Sequence, residues 1–175
     1  MSHAWPWLSQ SDKKEGAKVI AQSVQALIDI ATKENRLISE LVLENQAEEL
    51  GATTEDLYQQ MALNFGVMKE SIAAGLQPIP RSPSGLSGGD AYRLKKAVEN
   101  GTTIGGTTLA KGLMRAMAVS EINASMGKIV AAPTAGSCGI LPGALVTAME
   151  EKNIPESTII MSLFTAAGIG MIIAT

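Results

Sequence analysis

From Ser157 to Thr175 the sequence carries no charged residue. No other stretch limits the possible folds so strongly. About 20 apolar residues are enough to cross a bilayer as a helix; the alternative is a helix apolar all round and buried in a protein core. Two features favour the core. Ser157, Thr158, Ser162 and Thr165 dilute the start with hydroxyls, and Ala166, Ala167, Gly168 and Gly170 let another helix approach closely. Pro155 suits a first helical turn. The apolar run continues to the last residue, where a domain normally frays in polar residues. The chain therefore reads as the N-terminal part of a longer domain, truncated at its C-terminus.

The rest of the sequence is also built for helices. Only 3% of residues are aromatic while 46% are hydrophobic, so Ala, Leu, Ile, Val and Met make the core. That favours packed helices over a β-sandwich. From Ala17, residues Val19, Ile20, Val24, Leu27, Ile28 and Ala31 recur mostly at helical spacing. A polar break at Thr32–Asn35 precedes a second helix from Leu37 to Leu50, which Gly51 stops. Thr53 caps a third, with Asp56 three residues on. Its apolar positions are Leu57, Met61, Leu63, Phe65, Met68 and Ile72. Asp90 caps a short helix to Asn100. Thr107 or Thr108 caps the next, with Leu109, Leu113, Met114, Met117, Ala118 and Ile122 inward. Ile129–Ala132 is short and β-like, and Leu141–Glu151 is helical.

The expected fold is an all-α helical bundle with Gly/Ser/Pro-rich functional loops between helices. Its centre pairs Thr108–Ser125 with Ser157–Thr175 through Ala110, Ala116 and Ala118 on one side and Ala166, Ala167 and Gly170 on the other. Residues 1–15 read as a disordered leader holding Trp5-Pro6-Trp7 and the single histidine, His3; residues 16–175 form the domain.

Charge and cysteine usage narrow the function. The net charge is −3 with no basic block, which argues against nucleic acid as a partner. One cysteine leaves no disulfide framework. No basic start followed by an apolar segment marks a signal peptide, so a cytoplasmic location is expected. Gly105-Gly106 lacks both GxGxxG spacing and a Walker lysine. Glu44, Glu48 and Glu49 read as a solvated face.

Two loops remain as candidates for chemistry. Ser84-Gly85-Leu86-Ser87-Gly88-Gly89-Asp90 ends a long Pro/Gly/Ser segment, and loops of that length are often functional. Thr134–Gly139 has no bulky side chain and leads into a helix. Backbone there can approach a ligand closely, and helix N-termini suit carboxylates or phosphates. Either stretch reads as an anion-binding turn or as a tight structural turn.

The phrases Ser-Gly-Leu-Ser-Gly-Gly-Asp at 84–90, Asn-Ala-Ser-Met-Gly-Lys-Ile-Val at 123–130, Ala-Pro-Thr-Ala-Gly-Ser-Cys-Gly-Ile-Leu-Pro-Gly at 132–143 and Leu-Phe-Thr-Ala-Ala-Gly-Ile-Gly at 163–170 stand in this order. Together they closely resemble the α subunit of bacterial iron–sulfur-dependent L-serine dehydratase (L-serine ammonia-lyase), over roughly residues 20–175. The resemblance implies a [4Fe–4S] enzyme without pyridoxal phosphate that converts L-serine to pyruvate and ammonia through aminoacrylate. One cluster iron acts as a Lewis acid on the serine hydroxyl, and hydroxyl and backbone donors hold the carboxylate. Ser84, Ser87, Asn123, Thr134 and Ser137 are the expected substrate-side groups; the general base is unassigned. No lysine lies in a recognisable Schiff-base motif.

The chain departs from the family at the metal. A [4Fe–4S] cluster takes thiolates from several cysteines, and the family's lie mainly downstream. Cys138 is either a ligand or a buried small residue. This chain by itself is expected to hold no stable cluster and no activity. The resemblance also implies a β subunit or domain as partner, and exposed apolar surface implies self-association. The alternative is a non-catalytic helical module that binds a small carboxylate or a partner subunit.

Overall fold

The computed structural model describes residue 21 and residues 23–78, 82–132 and 136–173. They form seven α-helices: α1 Val24–Glu34, α2 Ile38–Leu50, α3 Thr54–Gly75, α4 Asp90–Glu99, α5 Thr107–Ala124, α6 Ser137–Lys152 and α7 Glu156–Ile173. The all-α expectation holds. No strand occurs among the described residues, and the β-like stretch contributes only a single bridge residue at Val130. The expected leader lies outside the described residues.

Local chemistry sets most boundaries. Ser23 accepts the Ala26 N–H at 3.1 Å and caps α1. The polar break expected at Thr32 does not stop α1. The Thr32 hydroxyl turns back to donate to the Ile28 carbonyl at 2.8 Å, and the helix ends only at Asn35, which adopts φ 52°. Gly51 stops α2 at φ 62°. Thr53 Oγ1 accepts the Asp56 N–H at 3.1 Å at the head of α3. Leu57, Met61, Phe65, Met68 and Ile72 of α3 are buried at spacings of four, four, three and four. Leu63 falls off that stripe and is 66% exposed.

The described residues divide into two compact units, one within 64–154 and a second that joins residues 23–63 to residues 155–173. In the first, α5 is flanked by α4 and α6. Glycines set the α5–α6 distance. A Cβ on Gly139 would meet the Ala116 carbonyl oxygen at 2.5 Å, and one on Gly143 would meet the Gly112 carbonyl oxygen at 2.9 Å. The end of α3 joins the same core, since a Cβ on Gly75 would lie 2.3 Å from the Ala118 oxygen. Met114 and Ala118 are buried as expected, but Leu109 and Leu113 are 58% and 51% exposed. Two charged residues of α5, Arg115 and Glu121, are buried instead.

In the second unit α2 packs on α1 and α7. A Cβ on Gly168 of α7 would lie 2.4 Å from Val42 Cγ2 of α2. Ile159, Ile160, Leu163 and Phe164 are buried beside it. The small-residue stripes were expected to pair α5 with α7; the partner that α5 uses is α6, and the partner of α7 is α2. Gly139 and Gly143 let the backbone of α6 close on α5, and Gly168 of α7 makes room for Val42 of α2. By length and composition alone α7 is apolar enough to cross a membrane, with 28% of it buried.

Candidate functional site

The Ser84–Asp90 loop is closed by its own hydroxyls. Ser82 is buried, and its N–H donates to the Ser87 carbonyl at 2.7 Å. Its Oγ lies 3.0 Å from Ser84 Oγ and accepts from the Ser87 hydroxyl at 3.1 Å. The Ser87 N–H reaches the same oxygen at 3.4 Å. Ser84 itself is exposed and Ser87 half-buried. Both expected substrate-side serines therefore hang on one buried serine that sequence reading passed over.

The end of the loop is held from a distance. Glu121 of α5 is 5% exposed. Its Oε1 accepts the N–H groups of Asp90 at 2.7 Å and Ala91 at 3.0 Å, and its Oε2 accepts that of Gly89 at 2.9 Å. A carboxylate on several backbone N–H groups at a helix start meets both unsatisfied donors and the positive end of the helix dipole. Asp90 was expected as the cap of α4. It is instead the first helical residue and pairs with Arg93, while Gly89 takes the N-cap position at φ 86° with no side-chain cap of its own. Likewise Gly106, not Thr107 or Thr108, occupies the N-cap of α5.

The second loop also leans on the last turns of α5. Asn123 is exposed there, with its carbonyl accepting the Met126 N–H at 3.0 Å. The chain reverses through Met126 at φ 63°, and Gly127 N–H closes on the Ile122 carbonyl at 2.8 Å. Thr134 lies outside the described residues. The helix expected from Leu141 begins at Ser137, with Pro142 inside it. Small residues at the start of α6 are thus helix packing residues as well as loop residues. Ser137 is half-buried at the first helical position, and Cys138 next to it is buried.

Nearby, Arg115 Nη1 donates to Thr147 Oγ1 at 2.6 Å, and Nη2 donates to Glu150. Thr147 in turn donates to the Gly143 carbonyl at 2.7 Å. This buried pair ties α5 to α6 behind the glycine contacts. A groove of about 790 Å³ in the other unit, lined in part by Thr32, Arg36, Ser39 and Thr158, brings together none of the expected site residues. Its cation is already matched, because Arg36 meets Glu44 at 2.5 Å.

One family model, "Serine dehydratase alpha chain", matches residues 33–175. The chain belongs to the serine dehydratase alpha chain family. The match contains all four phrases on which the resemblance rested. A "Probable L-serine dehydratase, alpha chain" of Bacillus subtilis is 37% identical over 87% of this chain and 51% of its own length. An "L-serine dehydratase, alpha chain" of Peptoniphilus asaccharolyticus is 36% identical over 86% and 52%. An "L-serine dehydratase" of Haemophilus influenzae is 33% identical over 75% of this chain and 30% of its own length. The chain thus spans about half the length of the two alpha chains. No solved structure matches it.

The residues of this chain do not fit a [4Fe–4S] cluster by themselves. Such a cluster takes about three or four thiolates, and the sequence has a single cysteine. Among the described residues no group of three or more His, Cys, Asp or Glu side chains is placed to hold a metal ion.

Proposed function

We propose that this chain is part of the catalytic subunit of an L-serine dehydratase and supplies the surface that receives the substrate carboxylate. The family match and the names of the relatives support the reaction. The serine triad Ser82, Ser84 and Ser87 is the observation that carries the binding role. Ser82 accepts from Ser87 and shares a hydrogen bond with Ser84. Two small hydroxyls are thereby oriented at the solvent edge of a loop whose backbone has no bulky cover. Ser87 spends its hydrogen on Ser82 and Ser82 can pass its own to Ser84, which leaves Ser84 as the donor; a carboxylate suits it better than a neutral group, because bonds to an ion are the stronger ones. Asn123, in the last turn of α5, and Ser137, in the first turn of α6, are the further donors we assign to the substrate.

The reaction class is elimination. The Cα–H and Cβ–OH bonds of L-serine break, aminoacrylate forms, and hydrolysis releases pyruvate and ammonia. The residues of this chain bind and orient the carboxylate end. The iron–sulfur cluster implied by the resemblance draws its thiolates from outside this chain, and we assign Cys138 no ligand role. The partner is the β subunit or domain of the family, and the exposed Ile104, Leu109 and Leu113 support burial against another chain. The reading carries a cytoplasmic location and no pyridoxal phosphate.

The test is a chimera of the Peptoniphilus asaccharolyticus relative in which this chain replaces the matched half. Pyruvate formed anaerobically from L-serine is expected, and its loss when Ser84 and Ser87 are both changed to Ala. A folded chimera that makes no pyruvate would sink the proposal, and L-serine binding to it without turnover would favour the non-catalytic module.

A further inference from the structure

Glu121 is a buried carboxylate that the sequence reading did not use, and it does more than a helix cap needs. A cap for α4 was available locally: Ser87 and Asp90 carry suitable oxygens within a few residues of the first turn. Neither is used. Ser87 is turned toward Ser82, and Asp90 toward Arg93. The three N–H groups are met from α5, at a sequence distance of 30 to 32 residues. A local cap would satisfy the helix alone. A carboxylate from another helix also fixes the position of the loop relative to α5.

The bonds fall in two sets joined through the backbone of Gly88. Glu121 holds Gly89; Ser87, two residues earlier, holds Ser82; Ser82 holds Ser84. The occupied helix start has a second consequence. The amides of Gly89, Asp90 and Ala91 are already bonded to the Glu121 carboxylate, so the head of α4 is not open to a second carboxylate.

We propose that Glu121 is the positioning residue of this loop: by anchoring Gly89–Ala91 to α5 it sets where Ser84 and Ser87 present their hydroxyls. The proposal rests on the serine-binding role given to that loop above. Glu121→Gln is the informative variant. It keeps the size of the side chain but turns one accepting oxygen into an NH2 group, which faces a backbone N–H as donor against donor.

The first readout is hydrogen exchange at the amides of residues 89–91 in the full chain, which needs no activity. Exchange in Glu121→Gln is expected to accelerate about tenfold or more, with α5–α6 core amides unchanged. Unchanged exchange at 89–91 overturns the proposal. Should the Gln variant fail to fold, Glu121→Ala with added formate replaces it. Formate is expected to occupy the vacated carboxylate position and slow exchange again; no effect of formate overturns the proposal. The second readout is kinetic, in the chimera. KM for L-serine is expected to rise about tenfold with kcat changed less than about twofold, as for loss of uniform binding. Faster exchange with KM unchanged overturns the positioning role, whereas pyruvate formation that survives in the chimera with Ser84 and Ser87 both changed to Ala overturns the serine-binding role of the loop, so the two failures are distinguishable.

Discussion

Gly139 of α6 stands directly over the Ala116 carbonyl of α5: a Cβ on the glycine would lie 2.5 Å from that oxygen. A Cβ on Gly143, one turn on, would lie 2.9 Å from backbone atoms of both Gly112 and Ala116. Backbone atoms cannot move aside as a flexible side chain can. Gly143→Ala is therefore expected to destabilise the chain by about 1–3 kcal/mol, the usual cost of overpacking. Gly66→Ala is the control. Beyond the adjoining backbone of α3 itself, nothing lies within 4 Å of its would-be Cβ, and it is expected to stabilise by about 0.5–1 kcal/mol. Urea denaturation of both variants checks the opposite signs.

The Arg115 guanidinium is buried and uses the Thr147 hydroxyl at 2.6 Å. Thr147→Val keeps the shape of the side chain but leaves that donor without its acceptor. The expected loss is about 1–3 kcal/mol, the cost of an unsatisfied buried polar group. The same change at exposed Thr32, which bonds only its own helix, is expected to stay within about 0.5 kcal/mol. A larger loss at Thr32 than at Thr147 would contradict the assignment.

At the head of α3, Thr53 accepts the Asp56 N–H at 3.1 Å and donates to the Asp56 carboxylate at 2.6 Å. Thr53→Ala is expected to cost about 1 kcal/mol. Thermal melts should show this, with Thr53→Ser restoring most of it.

Acid should weaken the chain through exposed carboxylates. A hydrogen bond from Lys111 at 2.5 Å, aided by its charge, holds the Glu151 carboxyl below its ordinary value of 4.5. Arg36 does the same for Glu44, and Lys96 for Glu99. A carboxyl whose pKa is lower folded than unfolded adds stability above the unfolded value, and loses it as pH falls through the folded one. Stability is thus expected to decline below about pH 4.5, and the decline should be shallower in Glu151→Gln. Added salt should flatten it further, since these pairs are exposed. A steeper acid decline in Glu151→Gln would contradict this.

With a single cysteine, the purified chain treated anaerobically with iron and sulfide is expected to develop no broad visible iron–sulfur absorbance and to form no pyruvate from serine. Cys138→Ser should leave both results unchanged. Stable absorbance that disappears in Cys138→Ser would restore Cys138 as a ligand.

Much of the architecture was legible in the sequence because its causes are local. Apolar spacing in α3, the Thr53 cap, the Gly51 stop and the uncharged run of α7 each act within one helix. Their information lies within a few residues, where sequence reading works. The four motif phrases were legible too, and they led to the family. The errors came where local signals competed. Asp90 and Thr107 are good N-caps by type, yet glycines took both positions. Ser137 to Gly139 read as the end of a loop with the helix from Leu141, yet α6 starts at Ser137.

The sequence by itself determined that the chain is helical, that Thr53 caps α3 and Gly51 stops α2, and to which family it belongs. Only the tertiary structure decided which helices share glycine contacts, that Ser82 is the buried centre of the hydroxyl loop, and that Glu121 holds that loop. The reason is range. Glu121 and Asp90 are 31 residues apart, and a glutamate late in a helix has the same local signature whether it faces solvent or closes on the head of another helix. Packing alone turns it inward, and burial makes its three hydrogen bonds obligatory.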